Sequence, residues 1–271
     1  MNQQNLMIFS EIFNWYELTD FSIPIIQQMI KKLNDSFNNL IKVDCSWSYH
    51  KKCEVLNSKD KPIFFFKYVR EYYFSEILGL HLTHYFFDPK LCASSYLTGI
   101  YIKKGKLKTS EVPYLFTSFV KGRDITHYDI KKYKFPLGKQ FYLHEILSLY
   151  DVYDRHFIVK DNNVIVRIDF GRSFENTHKK YLGFNDYLED KGIDLSDEEL
   201  QRGYAKEKEI IKESLDGKKN ELAQFVRKVK MLRMDSELIF FPIERFINRL
   251  IDHWSRIGFL NDMNLTKINW I

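Results

Sequence analysis

Apolar positions recur at helical spacing from the start of the chain: Phe9, Phe13 and Tyr16, then Ile25, Ile26, Met29, Ile30 and Leu33. This periodicity predicts one or two amphipathic helices within residues 1–40, with Pro24 near the start of the second. From about Ile41 the pattern shortens to strands. Ile63–Val69 is one, introduced by the turn residues Asp60-Lys61-Pro62. Residues 72–86 then predict a helix striped by Phe74, Leu78, Leu82 and Tyr85 and closed by Asp88-Pro89. Tyr96–Lys103 and Tyr114–Val120 predict two further strands joined by a basic turn around Lys104-Gly105-Lys106. Lys121-Gly122-Arg123-Asp124 breaks the pattern, and helices dominate from there, with amphipathic segments at about 196–215, 218–233 and 242–257. One exception stands among them. Phe157–Lys160 and Val164–Asp169 flank Asp161-Asn162-Asn163, which is hairpin chemistry.

Strands in one run and helices in another indicate an α+β protein of two lobes behind a helical extension. The expected division is 1–40 for the extension, 41–120 for the strand-rich part and 121–271 for the helix-rich part.

Composition narrows the setting. The 271 residues are 45% apolar, enough to bury a core and to exclude wholesale disorder. A formal charge of +5 suits a polyanionic partner without demanding one. The basic clusters at Lys103–Lys108, Lys131–Lys134 and Arg227–Arg233 are short and interrupted, as solvated surfaces are, so nucleic acid is not the expected partner. Cys45, Cys53 and Cys92 form no CxxC pair and leave one over under any disulfide scheme, which points to a reducing interior. No 18-residue apolar run and no signal-peptide pattern occur, so the expectation is a soluble, cytoplasmic protein without a transmembrane segment.

Candidate chemistry gathers around the hairpin. Tyr153-Asp154-Arg155-His156 precedes it, and Asp169-Phe170-Gly171 follows, fifteen residues after Asp154. A hairpin brings its ends together, so both aspartates converge at one rim. One carboxylate there can hold Mg²⁺ while the other accepts a proton. Alone, an Asp-Phe-Gly tripeptide is an ordinary strand-ending turn. The order, the hairpin between, and the upstream Lys67 strand with its Glu-bearing helix make the set specific. His81 and His84 share a helix without the HExxH pattern, and no GxSxG elbow or Walker lysine occurs.

With these residues the chain resembles the protein-kinase-like superfamily, of the phosphatidylinositol 3/4-kinase and HipA-like atypical type. The matching motifs are Asp154-Arg155-His156 and Ile168-Asp169-Phe170-Gly171. Upstream, Phe66-Lys67 is similar to the phosphate-contacting lysine strand, and Ser75–Leu80 to the helix whose glutamate pairs with that lysine. Phe116–Gly122 is similar to the hinge that receives adenine. The resemblance covers about residues 41–175 and implies a bilobal kinase fold, with 41–120 as N-lobe and 121–271 as C-lobe. It implies ATP with Mg²⁺ (or Mn²⁺) as cofactors, and transfer of the γ-phosphate to a hydroxyl of a protein or a phosphoinositide-type lipid. By the same resemblance Lys67 contacts the phosphates, Glu76 (alternatively Glu71) orients Lys67, and Thr117, Ser118 and Phe119 receive the adenine. Asp169 holds the metal, and Asp154 orients or deprotonates the acceptor.

Two departures are expected to matter. Five residues after Asp154, where the family places a second metal-binding asparagine, stands Val159. The loop Asp44–His50, in the place of the phosphate loop, has no glycine. Two other functions therefore stay open beside the kinase: a pseudokinase that binds or scaffolds, and transfer of a nucleotidyl (AMP) group to protein.

Overall fold

The computed structural model describes residues 15–16, 43–44, 52–56, 62–68, 74–93, 95–103, 106–160, 163–171, 174, 183–230 and 243–270. The molecule is α+β and divides into two units. One takes in Met1–Glu71 and Ser94–Phe119; the other takes in Tyr72–Ala93, Val120–Arg233 and Phe240–Ile271. Residues 72–93, grouped with the strands by the sequence pattern, thus belong to the helical unit.

The first unit is built on a sheet whose described strands are β1 (Trp15–Tyr16), β2 (Val43–Asp44), β3 (Lys52–Leu56), β4 (Pro62–Tyr68), β5 (Ser95–Lys103) and β6 (Lys106–Ser118). Their order is β1-β5-β6-β4-β3-β2. Pairing is antiparallel except at β1, which runs parallel to β5 with Trp15 opposite Leu97 and Tyr16 opposite Thr98. The helix expected through Tyr16 is therefore wrong at this point. The edge of β5 offers unpaired backbone groups, and an aromatic pair with high strand preference takes them. The remaining residues of the expected extension lie outside the described residues. In the centre of the sheet, β6 pairs with β4 so that Phe65 faces Thr117 and Lys67 faces Leu115.

The second unit opens with α1 (Phe74–His81), which passes directly into a wider π-helical turn over Leu82–Phe86. A 3₁₀ turn at Pro89–Leu91 follows, started by Asp88, whose side chain accepts from the Lys90 N–H at 2.9 Å. The small sheet of this unit is antiparallel and ordered β7-β8-β9, from Arg123–Asp124, Phe157–Lys160 and Val164–Arg167. Cys92 bridges to Arg167 on the outer side of β9.

Around this sheet pack α2 (Lys134–Leu147), α3 (Phe184–Asp190), α4 (Glu198–Asp216), α5 (Lys219–Lys230), α6 (Ile243–Arg256) and α7 (Phe259–Asp262). The three amphipathic segments expected near 196–215, 218–233 and 242–257 correspond to α4, α5 and α6. The pattern did not single out α2, although it is the axis of the unit: Leu137, Tyr142, Leu143, Ile146 and Leu147 are all buried. Gln140 is buried with them and donates from Nε2 to the carbonyls of Ile165 (2.8 Å) and Leu91 (3.2 Å), which fastens α2 to β9 and to the preceding turn.

The α2–α4 crossing is closer than side chains permit. A Cβ on Gly138 would lie 2.0 Å from the Leu200 carbonyl oxygen, and one on Gly203 1.9 Å from that of Phe135. Each glycine lets one backbone touch the other. Asp197 caps α4 by accepting from the N–H groups of Glu199 and Leu200. At the far end of α2, Trp254 of α6 is wholly buried and donates from Nε1 to the Ile146 carbonyl at 2.8 Å.

Candidate active site

The hairpin β8–β9 sets the candidate site. Its register places Phe157 opposite Arg167 and Lys160 opposite Val164, and Asn163 closes the turn with φ +60. A three-residue loop with a left-handed last residue is a standard hairpin closure. Pairing continues past the strand ends at the other rim, where the Ile168 N–H donates to the His156 carbonyl at 3.0 Å. Asp154 opens the 3₁₀ turn Asp154–His156 directly before β8, and Asp169 lies two residues beyond β9. The two motifs therefore meet at one rim. His156 touches Asp169, with Nε2 4.0 Å from Oδ2.

Asp154 is held on both oxygens. The Tyr187 hydroxyl donates to Oδ1 at 2.7 Å and the Lys191 ammonium to Oδ2 at 2.8 Å. Burial, followed by the bond to Asp154, raises the Tyr187 hydroxyl well above its ordinary value, so it stays a neutral donor. Lys191 also sits over the Tyr187 ring, 5.5 Å from its centroid. Both partners come from α3 and the residue after it, and Tyr187 belongs to the core cluster with Phe157, Val159 and Leu188. Asp154 is thereby fixed by a packed element, while its side chain keeps 26% of its surface exposed.

Asp169 turns back on itself: the Gly171 N–H donates to its Oδ1 at 3.0 Å, while Phe170 between them is fully buried. This is an Asx turn, the reason an Asp-x-Gly tripeptide ends a strand here. α1 grips the same turn, because the Ser75 hydroxyl donates to the Gly171 carbonyl at 2.9 Å. Phe174 follows in a left-handed conformation, its N–H donating to the carbonyls of Leu147 and Ser148.

Beneath the rim lies Arg167, only 1% exposed. Its Nε donates to the Asp169 carbonyl, and its Nη1 lies 2.9 Å from His144 Nε2. The guanidinium also lies over the rings of Phe157 and Phe170. Burial pulls its pKa down to about 10, and the carboxylates of Asp169, Asp151 and Glu76 oppose that pull. His144 is lowered far below its usual range by burial, then by Arg167 and His156, so it is neutral and accepts from Arg167.

Glu76 is 1% exposed on α1, and its carboxylate acts on Arg167. The side chain of its expected partner Lys67 lies outside the described residues, as do Glu71 and the side chain of Ser118. Thr117 and Ser118 end β6, and Phe119, 37% exposed, is the last residue before the chain enters the second unit. The glycine-free loop at 45–50 also lies outside the described residues.

The rim offers oxygen ligands from Asp154 and Asp169, and Asp151 is close enough to act on Arg167. Among the described residues, no group of three acidic, histidine or cysteine side chains can hold a metal unaided. A donor set of one or two carboxylates fits a Mg²⁺ ion that brings phosphate oxygens with it. Val159, at the place of the missing asparagine, is 3% exposed in the core. The Asn163 turn is no substitute, since four residues of strand put it about 13 Å from the rim.

No protein-family model matches this sequence, and no curated protein is found to match it. His81 stacks on Phe225 with centroids 4.6 Å apart, and burial, then His84, pulls its pKa down to about 3, so it is a packed neutral ring. Among the described residues no helix is long and apolar enough to cross a membrane.

Proposed function

We propose that this chain is an ATP-dependent phosphotransferase of bilobal, protein-kinase-like build that passes the γ-phosphoryl group to a protein or lipid hydroxyl. One observation carries the reading: the Asp-Arg-His and Asp-Phe-Gly segments meet at one rim of the hairpin, through His156 and Asp169. Phosphoryl transfer asks a protein for positioning and charge neutralisation rather than covalent work. Asp154, anchored by Tyr187 and Lys191, orients the acceptor hydroxyl and takes its proton. Lys191 adds a cation at the carboxylate where the transferred charge passes. Asp169 presents its carboxylate to magnesium carried by the nucleotide, which supplies the phosphoryl group. Lys67, and Thr117, Ser118 and Phe119, serve the phosphates and the adenine. Glu76 is here a counter-charge to Arg167 as well as the partner proposed for Lys67.

A second reading, a non-catalytic nucleotide-binding module, is favoured by Val159, which puts a core residue where a metal ligand is needed.

Calorimetric titration of the whole chain with Mg-ATP tests the proposal. Parent protein is expected to bind, and Asp169→Ala to lose at least ten-fold in affinity while melting as the parent does. Equal affinity in the two would overturn the role of Asp169, and no binding by the parent would overturn the function.

A further inference from the structure

Helix α6 has two chemically different sides. Phe246, Ile247, Leu250 and Trp254 are buried. Arg249, Asp252, His253 and Arg256 recur at three-, four- and seven-residue spacing, so they share another face. That face forms one wall of a cavity of about 650 Å³, and Ser148, Tyr150 and Phe174 line it as well.

The charges of this wall are not spent on each other. Asp252 stands three residues after Arg249 and four before Arg256, the natural spacing for helical ion pairs. Yet neither arginine forms an ion pair within 4.0 Å among the described residues, whereas exposed pairs such as Arg202–Glu199 (2.9 Å) do form on α4. Two guanidinium groups against one carboxylate leave the wall cationic.

Nor does the neighbouring helix end repel an anion in the usual way. The C-terminal carbonyls of α2 are all engaged: Glu145 by His253, Ile146 by Trp254, and Leu147 and Ser148 by the Phe174 N–H. The partial negative charge that a helix C-terminus carries is therefore bonded rather than open to the cavity.

The remaining lining selects among anions. A cavity of this size takes a small organic molecule, with room well beyond a bare tetrahedral ion. Half-buried Tyr150 gives it aromatic surface, and paired guanidinium forks match phosphate oxygens. We propose that this pocket binds an organic phosphate monoester, its phosphate between Arg249 and Arg256 and its apolar or aromatic body against Tyr150. The site is made entirely within the helical unit and does not depend on the phosphotransferase reading.

Phenyl phosphate, inorganic phosphate and phenol, each titrated calorimetrically into the full chain at low salt, test this. Phenyl phosphate is expected to bind at least ten-fold more tightly than either fragment. Arg249→Gln with Arg256→Gln is expected to cost ten-fold or more, each single variant part of that, with unchanged melting temperatures because both side chains are exposed. The Asp169→Ala variant is expected to bind phenyl phosphate as the parent does. Inorganic phosphate binding as tightly as phenyl phosphate would overturn the proposal. So would unchanged affinity in both single arginine variants, or a loss in Asp169→Ala, which would place the ligand at the other site.

Discussion

Arg167 shows what a single buried charge organises. It ties the Asp169 carbonyl, a neutral His144 and the carboxylates of Glu76 and Asp151 into one network below the rim. Removing it takes a cation from beside a buried carboxylate and breaks its bonds to Asp169 and His144, so Arg167→Met is expected to cost about 3–5 kcal/mol in urea unfolding. A loss below about 1 kcal/mol would show that the carboxylates are solvated. Glu207 allows a test of pH. It is fully buried on α4, with Lys139 Nζ 3.2 Å from Oε2, and burial, then Asp88, raises its pKa from 4.5 to about 7. The folded chain thus holds a proton that the unfolded chain has released between pH 4.5 and 7. This contribution to stability falls as pH rises through that window, by up to about 3 kcal/mol. Glu207→Gln should remove the slope, so the stability of the variant relative to the parent should increase from pH 5 to pH 8. A pH-independent difference would contradict the assignment. At this scale the two aspartates were legible because motif order and hairpin turn lie in one short stretch. Tyr187 and Lys191 were not, because they lie 33 and 37 residues from the Asp154 they hold, with no motif between to join them. Arg167 left one signal, a cation closing the run Val164-Ile165-Val166, where a half-exposed strand would alternate.

Among the elements, the α2–α4 contact is the most exacting. Gly203→Ala would drive a methyl group into the Phe135 carbonyl, a backbone atom that cannot swing aside. It is expected to destabilise by at least about 2 kcal/mol, although alanine is the better helix former. Gly217→Ala, whose Cβ would meet nothing within 4 Å, is the control and should change stability by under about 1 kcal/mol. Thermal melts of the two variants decide it, and equal melting temperatures would mean the helices can part at little cost. α2 escaped the sequence pattern because Pro136 and Gly138, both breakers inside most helices, sit near its start. Proline is tolerated in a first turn, and the glycine is there for the crossing. The long helices α4, α5 and α6 were legible because each exposes one polar side, which makes their periodicity plain. Trp15–Tyr16 went the other way: its periodicity was helical, but the partner that makes it a strand lies 82 residues downstream.

For the molecule as a whole, the alternation of a strand-rich and a helix-rich part could be read from the order of patterns. The allocation of residues 72–93 could not, because a stripe of apolar residues does not say which neighbour will bury it. α1 joins the helical unit through Ser75 and the Gly171 carbonyl, which binds the glutamate-bearing helix to the Asp169 turn. In the proposed function this turn and the Asp154 loop act together on ATP. The most direct measurement follows label from α- and γ-labelled ATP, with Mg²⁺ or Mn²⁺, into candidate protein and phosphoinositide acceptors. Only the γ label is expected to move, and Asp154→Asn is expected to slow its transfer by orders of magnitude with little change in KM. Transfer of the α label, or binding of ATP with no label moved to any acceptor, would contradict it.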